Sequence, residues 1–96
     1  MANVIYLPGA SADYQAEYAY YAARSPRAAA RFETLVQDAV QKILAMPQAY
    51  PAYDRRHRMF VLHGYPCYLV YRERAGDIEI VAVANSWRRP GYWKGR

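Results

Sequence analysis

The chain has 96 residues, of which 54% are hydrophobic, and carries a formal net charge of +5. That length suits one domain with one core and is too short for two. A single cysteine, Cys67, excludes an internal disulfide framework, and no apolar run approaches the ~20 residues that cross a bilayer. The charge is unevenly placed. Residues 1–54 hold four cations and five acids, net −1, and residues 55–96 hold nine cations and three acids, net +6. Such asymmetry favours an anionic partner. No basic, then apolar, leader opens the sequence, so a cytoplasmic location is expected.

In chain order, "NVIYL" (3–7) reads as a short strand stopped by a turn at Pro8 and Gly9. Ala10, Tyr14, Tyr18 and Tyr21 then recur at helical spacing and predict a first helix with a packing stripe. Tyr20 falls off that stripe. Ser25 followed by Pro26 predicts the start of a second helix, because a serine hydroxyl caps free N–H groups and proline lacks one that would be orphaned there. Its stripe is Ala28, Phe32, Leu35, Val36, Ala39, Ile43 and Met46, ended by Pro47. The short link predicts an antiparallel helical hairpin.

"PQAYPAYDRRHR" is a proline-punctuated connection. Three strand-like runs follow at 58–63, 67–72 and 77–84, joined through Gly64 with Pro66 and through Ala75-Gly76. In the last run Ile78, Ile80 and Ala82 alternate with Glu79, Val81 and Val83, which predicts a wet face at least at its beginning. The expected class is α+β with the order β-α-α-β-β-β, a helical hairpin on one face of a mostly antiparallel sheet. The expected organisation is one domain over 1–96 with a basic tail at 86–96.

"LPGASADYQAEYAYYAARSPRAAARF", "ILAMPQAYP", "HGYPCYLVYR" and "IEIVAVANSWRRPGYWKGR" together resemble the RelE/ParE superfamily of bacterial type II toxins over nearly the whole chain. The resemblance implies a growth-inhibiting toxin neutralised by a cognate acidic antitoxin, in a hetero-oligomer. RelE-like members cut messenger RNA on the ribosome, and ParE-like members poison DNA gyrase. Superfamily ribonucleases carry a basic residue where this sequence has Tyr68, and an arginine near Ser86 or Trp87. These departures place the chain nearer the ParE-like, non-catalytic branch.

The chemistry of an alternative ribosome-dependent endoribonuclease would fall to His57 or His63 for proton exchange, to Arg56, Arg58, Arg72, Arg88 and Arg89 for phosphate, and to Tyr92 as acid. On strict alternation both histidines share a strand face with Met59 and Val61 and read as strand-end residues. His57, His63 and Cys67 match no closed zinc pattern, the serines have no triad context, and no phosphate-binding glycine loop is present. Cys67 reads as core. No cofactor or metal is expected. The tail "RRPGYWKGR" mixes arginine with aromatic rings, the side chains most enriched where binding energy concentrates. The expected surface for target or antitoxin is therefore Arg56, Arg58, Arg88, Arg89, Tyr92, Trp93, Lys94 and Arg96. In a purely structural role, Tyr92 and Trp93 would fold back on the helical hairpin and leave the cations solvated.

Overall fold

The computed structural model describes residues 2–96; Met1, the first residue of the expected domain, lies outside them. Six elements follow one another: β1 (Val4–Tyr6), α1 (Pro8–Ala22), α2 (Pro26–Ala45), β2 (Arg58–Val61), β3 (Cys67–Arg74) and β4 (Asp77–Asn85). The sheet order is β1-β4-β3-β2, antiparallel except for β1, which lies parallel to β4. This is the expected β-α-α-β-β-β arrangement.

The predicted turn at Pro8 and Gly9 is absent, because Pro8 is itself the first residue of α1. Its fixed φ is already helical, and it has no N–H to leave unpaired. α2 begins as its sequence predicts: the Ser25 hydroxyl accepts from the Ala28 N–H at 3.2 Å, ahead of Pro26. Phe32, Val36, Ala39 and Ile43 turn inward. Met46 does not, being 63% exposed, because the helix stops at Ala45 ahead of Pro47. At the other end Ala29, rather than Ala28, is the buried alanine.

The helix-side core joins Phe32, Val36 and Ile43 to Leu69, Tyr71, Ile78, Ile80 and Val83. The tyrosine stripe of α1 edges this core, with Tyr14 and Tyr21 ring centroids 5.6 and 5.3 Å from Phe32. Aromatic pairs at these separations add to simple area burial. β3 and β4 are joined by a two-residue turn in which both Ala75 (φ 51°) and Gly76 (φ 83°) are left-handed, the backbone that matches strand twist in a tight hairpin.

The alternation expected along β4 holds only to Ile80. Val70 pairs with Ala82 but Tyr71 pairs with Ile80, so Val81 is an inserted residue, a β-bulge. Beyond it Val83 joins the helix-side core, and Val81 and Ala82 face the other way. That second face is not wet along its length. Val70, Val81, Ala82 and Trp93 form a smaller core there, flanked by Leu7, Tyr53, Tyr68 and Tyr92. The chain after β4 folds back to supply its cover.

Candidate functional site

β4 runs on past the end of β1, and its outward backbone groups there have no neighbouring strand to bond. α1 fills the place. Its inward face carries Ala10, Asp13 and Glu17, so two acids one helical turn apart meet the strand edge. Asp13 is 5% exposed, and its Oδ2 accepts from the Val83 N–H at 3.2 Å, the Tyr92 hydroxyl at 2.9 Å and Arg96 Nη1 at 2.7 Å. Its Oδ1 accepts from Arg88 Nη1 at 3.1 Å and Arg96 Nη2 at 3.3 Å. Arg96 Nη1 also reaches the Val81 carbonyl at the bulge, at 3.0 Å. A buried charge persists when it is paired and bonded in this way. Gly9 makes room: a Cβ there would stand 2.5 Å from the Arg96 guanidinium carbon. One turn along, Glu17 accepts from Asn85 Nδ2 at 2.5 Å and from the Cys67 thiol at 3.5 Å. Burial first, and then the Glu17 carboxylate, push that thiol up to about 12.

The rest of the tail is tied to the sheet. The guanidinium of Arg88 lies 3.8 Å from the Tyr92 ring centre. Burial, and then the bond to Asp13, raise the Tyr92 hydroxyl well above the ordinary tyrosine value. Trp93 is fully buried against Tyr53 and His57, with ring centroids 4.9 and 4.8 Å away. Arg72 donates from Nε to Glu79 at 2.7 Å and from Nη1 to the Arg96 carbonyl at 3.1 Å. His57, 5% exposed, has Nδ1 2.9 Å from Asp54 Oδ1 and Nε2 3.4 Å from Arg72 Nη1. With the carboxylate taking Nδ1–H, Nε2 is left to accept from Arg72, so both ring nitrogens are engaged.

Two depressions lie on different sides. A cleft of about 670 Å³ is lined by the loop around Arg55 and Arg56, by Arg58, and by Arg72 and Arg74 at the end of β3. A groove of about 420 Å³ runs between β1, α1 and α2, lined by Tyr6, Tyr14, Val36 and Val40 with Gln15, Gln37 and Gln41. No group of three or more His, Cys, Asp or Glu that could hold a metal occurs among the described residues. No helix among them is long and apolar enough to cross a membrane.

The family model of the ParE toxin of type II toxin–antitoxin systems, parDE, matches residues 4–89. The chain belongs to the ParE toxin family. A solved chain from the chromosomal ParDE toxin–antitoxin system of P. aeruginosa is similar in fold, with a TM-score of 0.67 at 23% identity over 88% of this chain and 96% of that one. A search of curated proteins finds no match. The ParE match stops short of Tyr92, Trp93, Lys94 and Arg96, so the aromatic end of the tail lies beyond it.

In this ParE-family toxin the residues expected to form one surface fall into separate settings. Arg88, Tyr92 and Arg96 gather on Asp13, and Trp93 is sealed beneath the tail. It covers the sheet face opposite the helical hairpin, not the hairpin itself. Arg58 donates to the Tyr50 carbonyl at 2.8 Å, and together with Arg56 it lines the basic cleft. Arg56, Arg89 and Lys94 are exposed and make no ion pair among the described residues. His57 and His63, expected at the two ends of a strand over 58–63, both lie outside β2, which spans only Arg58–Val61; His63 is exposed in the turn that follows. Sequence reasoning overlooked Asp13 and Glu17, whose signal was a pair of acids four apart on the face shared with Ala10. It also passed over Arg55 and Arg74 in the cleft, and Trp87 as a contact residue, a ring that stands 73% exposed beside Arg88.

Proposed function

We propose that this ParE-family toxin inhibits growth by binding DNA gyrase, acting in the cytoplasm as a single domain and held in check by a cognate acidic antitoxin. One observation supports binding over catalysis: two of the three candidate proton-transfer groups, His57 and Tyr92, are occupied internally while cations stay exposed. Both nitrogens of His57 are engaged, and the Tyr92 hydroxyl is bonded to Asp13. General acid–base chemistry needs such groups within reach of substrate. Arg56, Arg89, Lys94 and the partly exposed Arg88 remain for contact with an anionic surface. The antitoxin reading draws on the similar chain's membership of a ParDE system and on the basic second half of this one.

Titration of the protein into a gyrase supercoiling reaction tests the target. Inhibition that disappears when the antitoxin is added first is the expected result; unimpaired supercoiling at large molar excess removes the gyrase assignment. Translating ribosomes incubated in parallel, with new cuts in message at the decoding site, would reassign the toxin to RNA cleavage.

A further inference from the structure

The tail was the natural place to look for anion binding, but two of its arginines already hold Asp13. Arg89 and Lys94 of the tail make no ion pair among the described residues, but a denser group of cations lies elsewhere. The 670 Å³ cleft is lined by five arginines and two acids, 5 − 2 = +3, and with Arg72 already paired to Glu79 the balance is +2. Arg55, Arg56 and Arg74 are exposed and make no ion pair among the described residues. Of the two acids, Asp54 is consumed internally by His57 and by the Arg56 N–H.

The cleft is held in shape before any ligand arrives. Asp54 Oδ1 accepts from the backbone N–H groups of Arg56 and His57, each at 2.8 Å, which fixes the turn that carries Arg55 and Arg56. Below the turn the His57 ring rests on Trp93, and the Tyr53 N–H returns to the His57 carbonyl at 2.8 Å. On the facing wall, Glu79 fixes Arg72 at 2.7 Å. Guanidinium groups on so constrained a frame lose little freedom on meeting an anion.

The lining also speaks to the kind of anion. It carries two apolar side chains, Ala52 and Tyr71, and is otherwise charged or polar. A segment that folds on binding buries apolar surface to offset its ordering, and the walls here are built chiefly of guanidinium side chains. The groove of Tyr6, Tyr14, Val36 and Val40 carries no charged side chain; the cleft carries five arginines. A nucleic-acid backbone, in contrast, brings closely spaced charge and asks for no apolar pocket.

We propose that the cleft formed by Arg55, Arg56, Arg58, Arg72 and Arg74 is a docking site for the phosphodiester backbone of duplex DNA. It rests on the gyrase reading for the source of that DNA; the binding itself is separately measurable. Contact is through phosphate and without base readout, so it is independent of sequence.

The test is fluorescence anisotropy of a fluorescein-labelled duplex titrated with the full chain over a series of salt concentrations. Each phosphate contact contributes about 0.9 to the slope of log affinity against log salt, so Arg55→Ala with Arg74→Ala is expected to reduce the slope by about 2. Arg27→Ala with Arg31→Ala removes the same charge from exposed positions of α2 and is expected to leave the slope within about half a unit of the parent. Equal losses from both pairs, absence of salt-sensitive binding, preferential binding of single-stranded RNA, or displacement of duplex by polyglutamate at matched charge each overturn the proposal. Duplex binding by a chain that leaves gyrase unaffected keeps the cleft and removes the gyrase reading. Gyrase inhibition by a chain that binds no duplex does the reverse.

Discussion

Asp13 and Arg96 are 83 positions apart in sequence and 2.7 Å apart in space, and their pairing joins the first helix to the end of the tail across the bulge of β4. The carboxylate is 3% exposed at its side chain and also serves Val83, Tyr92 and Arg88. Its removal leaves buried donors without an acceptor. Asp13→Ala is expected to cost about 3–5 kcal/mol, the range for breaking a buried pair from one side. Urea unfolding would show the loss as a lowered midpoint, and an unchanged midpoint would contradict the central place given to this carboxylate.

The two tryptophans should behave oppositely. Trp93 is fully buried and Trp87 is 73% exposed. Trp93→Ala opens a void over Val70, Val81 and Ala82 and is expected to destabilise by about 3–5 kcal/mol, whereas Trp87→Ala should stay within about 0.5 kcal/mol. Acrylamide quenching of each single-tryptophan variant gives an independent reading, with the Trp87 emission quenched freely and the Trp93 emission protected.

The hairpin between β3 and β4 holds a non-glycine residue, Ala75, at φ 51°. A left-handed backbone costs an alanine roughly 1–2 kcal/mol, and asparagine tolerates it better. Ala75→Asn creates an Asn-Gly turn and is expected to raise stability by about 1 kcal/mol. Thermal unfolding of the variant would check it, a lowered midpoint being the contrary result.

Alkaline pH should unfold the protein in a definite window. Burial raises Tyr71 to about 12; burial and Glu17 raise Cys67 to about 12; Tyr21 and Tyr92 also lie above their ordinary range, through burial and then their hydrogen-bond partners. The unfolded chain releases these protons near 9.0 for cysteine and 10.0 for tyrosine. Above those values the folded state binds more protons than the unfolded one, so stability falls as pH rises. The expected profile is flat below about pH 9 and declines from there toward 12. Tyrosinate absorbance from the Tyr21, Tyr71 and Tyr92 rings should therefore appear together with unfolding; titration of these three near pH 10 in a fully folded protein would refute it.

The exposed part of the tail can be tested in cells. Arg88 is 46% exposed in its pair with Asp13, and Arg89 is exposed without an ion pair among the described residues. Arg88→Ala with Arg89→Ala is expected to abolish growth inhibition while costing less than about 1 kcal/mol, as befits a half-solvated pair. A soluble double variant that still arrests growth would take these arginines out of the target surface.

Much of the helical layer and the order of elements along the chain was legible because local chemistry dictates it: Ser25 and Pro26 start a helix, and apolar residues at helical spacing bury one face. What escaped depends on pairings remote in sequence. Nothing near Val81 announces an inserted residue, since the bulge is a matter of register with β3. A periodicity that counts apolar residues treats Asp13 and Glu17 as solvent-facing, yet both face inward because β4 outruns β1 and leaves a bare edge. Which face Trp93 covers was illegible for the same reason: the bulge sets Ala82 beside Val81 on the side away from the helices, where strict alternation puts Val83.

The bond from Asp13 to Arg96 also imposes an order on biosynthesis. A ribosome that has finished β4 has delivered the bulge, the bare strand edge and a carboxylate with most of its partners still untranslated. The nascent chain therefore cannot close its second layer until the segment through Arg96 has cleared the exit tunnel. The second layer is thus completed only after both helices and all four strands have been made.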